Sequence, residues 1–278
     1  MAKRILIGCI VVAAVAATVL LLDPSRTVLG WLNGEQFYKG KPASAWRKAL
    51  LDSAPAARTN TTKVIADGKS DAVPVLVELL DRQKVANSNE IRWTAADILG
   101  QIGPDAVSAA GPLGQALTDD DPLVRRVAAE ALGKIGPPAR EAVPALVAML
   151  HTDDRLHAIR ALIRFKAAAR EAIPALVVVL KDPSPEVRWN ACEALGDMKS
   201  DAKDAVPALQ ELLADPEAKV REHAAEALGE IGPDAKACLP ELRRLLDDPD
   251  ADVHDEAIKA LKRIDPTSPV PKPTSKGG

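Results

Sequence analysis

Aromatic side chains are scarce in this chain, with two Phe, one Tyr and four Trp among 278 residues. Sandwiches and barrels of β-strands draw on aromatic and β-branched residues in alternation, and no segment alternates convincingly. Apolar residues nevertheless make up 47 % of the chain, so Ala, Leu, Val and Ile must supply the core. Small side chains let helix axes approach closely, which favours an all-α fold.

An excess of positive charge is also lacking. The net charge is −3, and four of the 36 cations, Lys3, Arg4, Lys272 and Lys276, lie at the two ends in stretches without acids. Residues 23–265 therefore hold 32 cations against 39 acids, a net charge of −7. A non-specific nucleic-acid binder needs a basic stripe that releases counterions, so the composition argues against nucleic acid as a partner.

Charge is absent from the eighteen residues Ile5 to Leu22, which follow the short basic segment 1–4. As a helix this run spans about 27 Å, close to the hydrocarbon thickness of a bilayer. The positive-inside rule places Lys3 and Arg4 in the cytoplasm, so residues 5–22 are predicted to anchor an extracytoplasmic body in the cell membrane. The alternative is cleavage after Ala14-Val15-Ala16, which would give a secreted or periplasmic protein. We favour the anchor because cleavage would leave an apolar segment at the N-terminus of the mature protein.

Residues 23–41 form a predicted connector that holds Trp31, Phe37 and Tyr38. Beside a bilayer, such side chains can lie at the level of the lipid headgroups. The other interpretation is that they cap the first helical pair. The sequence leaves both open.

Internal periodicity is the strongest signal in the chain. Six leucines recur at steps of 33, 30, 33, 33 and 33 residues, and a cation lies seven residues before each of them. The leucines are Leu99, Leu132, Leu162, Leu195, Leu228 and Leu261. The cations are Arg92, Arg125, Arg155, Arg188, Arg221 and His254. Each unit is therefore predicted to be a helix–turn–helix that buries its apolar stripe against its neighbours.

Proline, aspartate and glycine recur at the ends of the two helices of each repeat. Segments such as Ala142-Val143-Pro144 open the first helix, since proline is tolerated in a first turn. The acids of Asp121-Pro122, Asp182-Pro183, Asp215-Pro216 and Asp248-Pro249 are predicted to cap the second helix. Gly-Pro pairs such as Gly103-Pro104 then end it. We expect a degenerate capping pair over 42–69, repeats over 70–265 and a disordered Pro-rich tail over 266–278.

These Asp-Pro, Val-Arg, Ala-Leu-Gly and Ala-Val-Pro marks resemble the HEAT-repeat family, in particular the short bacterial repeats called PBS-lyase HEAT-like. Tyr38 to Pro42, with Trp46, resembles an entry segment of exported bacterial HEAT proteins. The resemblance implies a right-handed α-solenoid of about seven stacked hairpins, preceded here by one transmembrane helix. It also implies that the arginine of each unit pairs with an aspartate of the neighbouring turn, and Asp182–Arg188 and Asp215–Arg221 are the expected pairs. The family includes scaffolds, adaptors and chromophore-lyase subunits.

Residues for catalysis or metal binding are not evident. His157 and His223 occupy one repeat column two units apart, about 20 Å from each other, which is too far for a shared metal ion. Cys192 and Cys238 replace alanines of their columns, so we interpret them as small buried side chains that are too distant for a disulfide. We expect no catalytic residue, metal or cofactor, and so no enzyme.

One column of the second helix departs from the polar pattern expected of a surface. Position 126 points away from the core, yet its column contains two tryptophans and a leucine, with acids four residues further on. An apolar patch with an acidic border is typical of a protein-binding surface. The predicted site consists of Trp93, Asp97, Arg126, Glu130, Leu156, Trp189, Glu193 and Glu226. A blander interpretation is that each tryptophan packs over the neighbouring helix.

Together these features predict a membrane-tethered scaffold or adaptor that binds a protein or peptide partner and catalyses nothing. The alternative is a lyase-type or regulatory subunit that handles a chromophore or another ligand, as in one branch of the family that the chain resembles.

Overall fold

The computed structural model describes residues 27–52, 54–85 and 88–267 of the chain. The predicted anchor, residues 5–22, and nearly all of the predicted tail lie outside these ranges. Among the described residues, none of the helices combines the length and the apolar character that a membrane crossing requires.

The described chain begins with a short helix and a small hairpin, which precede the repeats. Helix α1 covers Thr27–Leu32, and strands β1 (Phe37–Tyr38) and β2 (Lys41–Pro42) pair antiparallel. Lys39 and Gly40 both have positive φ, 48° and 70°, which suits the tight two-residue turn between the strands. Among the described residues, this hairpin departs from the expected all-α fold, because the turn residues allow two short strands to pair locally.

The rest of the described chain consists mainly of α-helical pairs, each with a short and a long helix, joined by 3-10 helices and turns. The first pair is α2 (Ala43–Leu50) and α3 (Pro55–Ala66). The short helices that follow are α4 (Val73–Leu80), α6 (Ala110–Ala116), α8 (Val143–Met149), α10 (Ile173–Val179), α12 (Val206–Leu212) and α14 (Leu239–Arg244). Their long partners are α5 (Asn89–Ile102), α7 (Pro122–Ile135), α9 (Arg155–Phe165), α11 (Pro185–Asp197), α13 (Ala218–Ile231) and α15 (Ala251–Ile264). The described residues thus contain seven helical pairs, the number that the repeat count predicted.

The chain divides after Ala131 into two compact units. In the first unit, α3 packs on α5 and α4 packs on α5. In the second unit, the long helices α9, α11, α13 and α15 pack side by side in chain order. Within each unit, therefore, consecutive hairpins bury one another's apolar stripes, which is how a repeat array holds together.

Glycine allows the long helices of the second unit to approach closely. A Cβ atom built on Gly229 would lie 2.9 Å from Cα of Ala260, and one on Gly196 would lie 3.0 Å from Cα of Ala227. Close packing of neighbouring long helices therefore explains the recurring Ala-Leu-Gly sequence. The glycine of one helix receives the alanine of the next.

The ends of the long helices follow a shared backbone pattern. Gly103, Gly136 and Gly232 end α5, α7 and α13 with φ of 69°, 73° and 78°, which confirms the predicted stops. Lys166 and Lys199 hold the equivalent positions after α9 and α11, with φ of 51° and 54°. The backbone conformation is thus kept where the sequence offers no glycine.

The capping pair takes part in the core together with the hairpin. Trp46 and Tyr38 are buried, with ring centroids 5.7 Å apart, and Nε1 of Trp46 donates to the carbonyl of Tyr38 at 3.0 Å. The Tyr38 hydroxyl donates to the carbonyl of Val64 in α3 at 3.2 Å. Tyr38 therefore caps the first helical pair, whereas Trp31 remains 75 % exposed.

Candidate functional site

The arginine column forms a ladder between consecutive repeats. Arg188 donates from Nε and Nη2 to both carboxylate oxygens of Asp215 at 2.8 Å, and Arg221 does the same to Asp248. Arg92 with Asp119 and Arg155 with Asp182 are two further rungs. Each of these four arginines thus meets the aspartate of the following repeat.

The expected pairs Asp182–Arg188 and Asp215–Arg221 are therefore wrong in their carboxylate partner. Nη1 of Arg188 donates to the backbone carbonyl of Asp182 at 2.9 Å, while the carboxylate of Asp182 faces Arg155. The Arg188 side chain is long enough to reach the next repeat, where it donates two hydrogen bonds to one carboxylate, a strong bidentate arrangement. Because Nε, Nη1 and Nη2 of Arg188 are all engaged, as they are in Arg92 and Arg221, these arginines serve structure and leave little for an anionic ligand.

The predicted helix caps are confirmed at one position only. Oδ1 of Asp121 accepts the amides of Leu123 and Val124 at the start of α7. Oδ1 of Asp182 instead accepts the amide of Ser184 ahead of α11. Asp215 and Asp248 make the same turn contact, with Glu217 and Asp250. Asp119, not Asp121, is the true equivalent of these three aspartates.

In the second unit, Trp189 lies in a cluster with His223 and several carboxylates. Its ring is half-buried, and its centroid lies 5.0 Å from that of His223 on the next long helix, at an interplanar angle of 53°. Nδ1 of His223 lies 3.0 Å from the carbonyl of Lys219, which fixes the ring. The neighbouring helix therefore covers part of Trp189 and leaves part accessible.

Carboxylates crowd this cluster. Loss of solvent around the Glu226 carboxyl raises its pKa, and the nearby Glu256, Glu193 and Glu222 raise it further, while His223 opposes them. Although the carboxyl group loses solvent, the Glu226 side chain as a whole is exposed, and Glu193 and Glu222 are half-buried. The predicted residues Trp189, Glu193 and Glu226 thus lie in one neighbourhood on α11 and α13. Leu156 is half-buried on α9 of the same unit.

In the first unit, Trp93 lines a groove between α3 and α5. The groove has a volume of about 680 Å³ and is lined in part by Arg58, Thr62, Asp97 and Gln101. Gln101 donates to Asp97 at 2.8 Å, and Arg58 pairs with Glu90 at 3.3 Å. Trp93 and Asp97 therefore share one concave surface. Arg126 and Glu130 are exposed on α7.

Sequence reasoning missed three contributors to these surfaces. His223, considered above only with regard to a metal ion, is the ring partner of Trp189. Arg58 and Thr62 belong to the degenerate pair, which carries no repeat mark. Position 223 lies one residue after the column that contains the tryptophans. A comparison of neighbouring columns in adjacent repeats would therefore have found His223, but not Arg58 or Thr62.

Cysteine and histidine chemistry finds little support in the described residues. Cys192 and Cys238 are buried and form no disulfide. Burial raises the pKa of Cys238 to about 11, and that of Cys192 also lies well above its usual value. Thiols with raised pKa are poor nucleophiles at neutral pH. Across the residues that the structure describes, no group of three or more His, Cys, Asp or Glu side chains could hold a metal ion.

Sequence comparison assigns most of the chain to one kind of repeat. A family model described as HEAT repeats matches residues 84–156, 152–229 and 206–273. No curated protein matches the chain.

Solved structures with similar folds are numerous. An archaeal HEAT-like repeats protein from Thermococcus onnurineus NA1 aligns over 81 % of this chain and 97 % of its own, with 16 % identity and a TM-score of 0.60. A computationally designed armadillo repeat protein for modular peptide recognition aligns over 69 % of this chain and 99 % of its own, with 22 % identity and a TM-score of 0.54. An engineered protein aligns over 80 % and 68 %, with 25 % identity and a TM-score of 0.55.

Proposed function

Because this chain belongs to the HEAT-repeat family, we propose that it is a non-catalytic scaffold that binds a protein or peptide segment on its long-helix surfaces. The PBS-lyase type of repeat and an exported, membrane-anchored protein are part of this proposal. No metal or cofactor is required for it. A HEAT-repeat fold is compatible with such binding.

The Trp189–His223 pair with its surrounding carboxylates carries the proposal. Tryptophan is enriched at binding hot spots, where a large ring fills a pocket and excludes water. His223 fixes one side of the Trp189 ring, so the ring is held ready for a ligand at low entropic cost. A half-accessible aromatic ring held in this way is a suitable anchor point for a partner side chain.

The charge around Trp189 indicates the chemistry of the partner. Burial raises the pKa of the Glu226 carboxyl, and Glu256, Glu193 and Glu222 raise it further, so these neighbours disfavour a negative charge on Glu226. A Lys or Arg side chain next to Glu226 would favour its charged form, and it would also interact favourably with the face of the indole. We therefore propose a partner segment that carries a cation next to an apolar residue.

Similarity of fold adds support from a designed protein. The armadillo repeat protein described above was made for modular peptide recognition, and it shares the arrangement of stacked helices with this chain. An extended peptide could be bound in the same general manner here, with alternate side chains over successive repeats.

The proposed tether rests on the sequence of residues 5–22 and on the two cations before it. Because the cations precede the apolar segment, they favour a single-pass protein with a cytoplasmic N-terminus and an extracytoplasmic repeat region. Cleavage of the segment would instead give a secreted or periplasmic form. Carbonate extraction of membranes from expressing cells separates these two fates, since only an embedded segment resists it.

Peptide selection on the full-length chain tests the binding site. Random peptides are displayed, selected on the detergent-solubilised protein, synthesised and titrated. We expect peptides with Lys or Arg beside an apolar residue, and we expect Trp189→Ala to weaken their binding at least about 30-fold, as at a hot spot of 2 kcal/mol. Glu226→Gln should weaken binding less and reduce its salt dependence.

The matched control is Val178→Ala, which removes an apolar side chain that is 65 % exposed on the short helix α10. This variant should bind the selected peptides like the wild type. Failure to select any peptide, or equal affinity for Trp189→Ala and the wild type, would refute the proposed site.

A further inference from the structure

Helix α1 concentrates exposed apolar side chains in the described part of the chain. Trp31 is 75 % exposed, Leu32 60 % and Val28 37 %. Seven large apolar side chains in the described residues are exposed, and three of them lie in this six-residue helix. Such a concentration on one small element marks a contact surface.

The opposite side of α1 is fixed against the hairpin. Gly30 is buried, and a Cβ atom built there would lie 2.3 Å from Cβ of Pro42 and 3.3 Å from Cζ of Phe37. The helix therefore rests directly on β1 and β2, with no space for a larger side chain at position 30. With this side held, Val28, Trp31 and Leu32 are presented outward in a defined orientation.

The sequence before α1 indicates what lies opposite these side chains. The uncharged run ends at Leu22, and only Asp23, Pro24, Ser25 and Arg26 separate it from Thr27. Five residue steps extend to at most about 18 Å. If residues 5–22 cross the bilayer, α1 must lie at or just beyond the headgroup layer.

The chemistry of α1 fits that location. Tryptophan is enriched at both membrane–water interfaces because its ring is apolar and its N–H is polar. Leucine and valine beside it add apolar area for the acyl-chain boundary. Lys39 and Lys41 are exposed on the adjoining hairpin, above the rings of Tyr38 and Trp46 at 5.3 and 5.0 Å, and can attract lipid phosphates.

We propose that Val28, Trp31 and Leu32 form a bilayer-contact surface, which sits at headgroup depth and orients the capping pair on the membrane. This inference rests on the proposed tether, because residues 5–22 bring the surface to the lipid. Protein partners or a second copy of the chain on this surface are outcomes that the experiment below separates from lipid contact.

Fluorescence quenching by brominated lipid tests the proposal. The full-length chain is reconstituted in vesicles of phosphatidylcholine and phosphatidylglycerol, with the phosphatidylcholine brominated either near its ester end or near its terminal methyl groups. We expect quenching of tryptophan emission by the shallow bromines and much less by the deep ones. Trp31→Phe should lose most of this quenching, and circular dichroism should show an unchanged fold because the side chain is exposed.

Trp93→Phe is the matched control, since Trp93 lines the groove between α3 and α5, and the amount of emission lost to the bromines should equal that of the wild type. Retained quenching in Trp31→Phe, or no quenching in the wild type, overturns the bilayer contact. Carbonate extraction of the same vesicles reports on the tether separately. A carbonate-resistant protein without Trp31-dependent quenching overturns only the contact surface, whereas release by carbonate overturns the tether and the inference built on it.

Discussion

The guanidinium of Arg188 donates from Nε and Nη2 to the two carboxylate oxygens of Asp215, each at 2.8 Å, across 27 residues of sequence. Both side chains are largely buried, at 12 % and 6 % exposure. The contact joins a long helix to the turn of the following repeat. Arg92 and Arg221 make the same bidentate contact, and Arg155 forms an ion pair with Asp182, so these contacts join consecutive repeats.

Removal of one member of this pair should cost substantial stability. Arg188→Ala leaves the carboxylate of Asp215 buried without its partner, which typically costs about 3 kcal/mol. Urea titration of the detergent-solubilised chain, followed by circular dichroism, measures the loss. Arg160→Ala is the control, because Arg160 and Glu186 form an exposed pair at 53 % and 51 % exposure and should contribute less than about 1 kcal/mol. Equal losses in the two variants would contradict a structural role for the ladder.

The ladder should also make stability depend on pH on the acid side. The hydrogen bonds from Arg221 lower the pKa of Asp248 in the folded chain, partial burial opposes this, and the amide of Asp250 lowers the pKa further. A carboxyl group with a lowered folded-state pKa contributes stability above its unfolded value, about 3.9, and loses that contribution as the pH falls through the folded value. We therefore expect the unfolding free energy of the wild type to fall more steeply below about pH 4 than that of Asp248→Asn.

Urea titrations at a series of pH values measure both slopes. Asp247→Asn, which changes the exposed neighbouring residue, controls for the loss of one charge and should follow the wild type. Parallel curves for the wild type and Asp248→Asn would show that the Arg221 contact does not govern this pH range.

Glycine at position 166 should stabilise the protein. Lys166 has φ 51° and ψ −136°, close to Gly103 at 69° and −138° and to Gly232 at 78° and −136°. A residue with a side chain pays about 1–3 kcal/mol to adopt this positive-φ conformation. Glycine avoids that cost, but it loses more conformational freedom on folding, which cancels part of the gain. We expect Lys166→Gly to raise the unfolding free energy by about 1 kcal/mol. Lys166→Ala keeps the Cβ atom and should give no gain, so equal effects of the two substitutions would contradict this explanation.

Alanine in place of the packed glycines should destabilise in proportion to the available space. The Cβ atom of Gly229→Ala would lie 2.9 Å from Cα of Ala260, whereas that of Gly133→Ala would lie 3.3 Å from Cα of Ala161. Overpacking of this kind costs about 1–3 kcal/mol, more than the roughly 1 kcal/mol that alanine gains from helix propensity. Thermal unfolding should therefore show a clear loss for Gly229→Ala and a smaller loss for Gly133→Ala. The reverse order would contradict the packing explanation.

Much of the repeat architecture was predictable from spacing. The leucine period located the long helices, and Leu99, Leu132 and Leu162 are fully buried, as are their counterparts in later repeats. Periodicity reports which positions lose contact with water, and that depends on the helix itself. The placement of Glu193 on the same helix face as Trp189 follows in the same way, because positions four apart share one face of a helix.

Register in the turns was less predictable. The run Asp119-Asp120-Asp121 offers three acids before Pro122, and the Asp-Pro dipeptide pointed to the wrong one as the repeat equivalent. Asp119 is the residue that meets Arg92, while Asp121 caps α7. A turn has no period of its own, so the sequence cannot decide which neighbouring acid reaches the arginine.

The sequence by itself determined the class of fold, the number of hairpins and the side of each helix that faces the core, since all three follow from which residues avoid water at regular intervals. Only the tertiary structure decided that Arg188 meets Asp215 and not Asp182, that His223 lies against Trp189, and that Trp31 is exposed while Tyr38 is buried. A repeating sequence offers an equivalent partner in every unit. The distance and angle between neighbouring helices select one of them, and those quantities are set by packing between residues far apart in the chain.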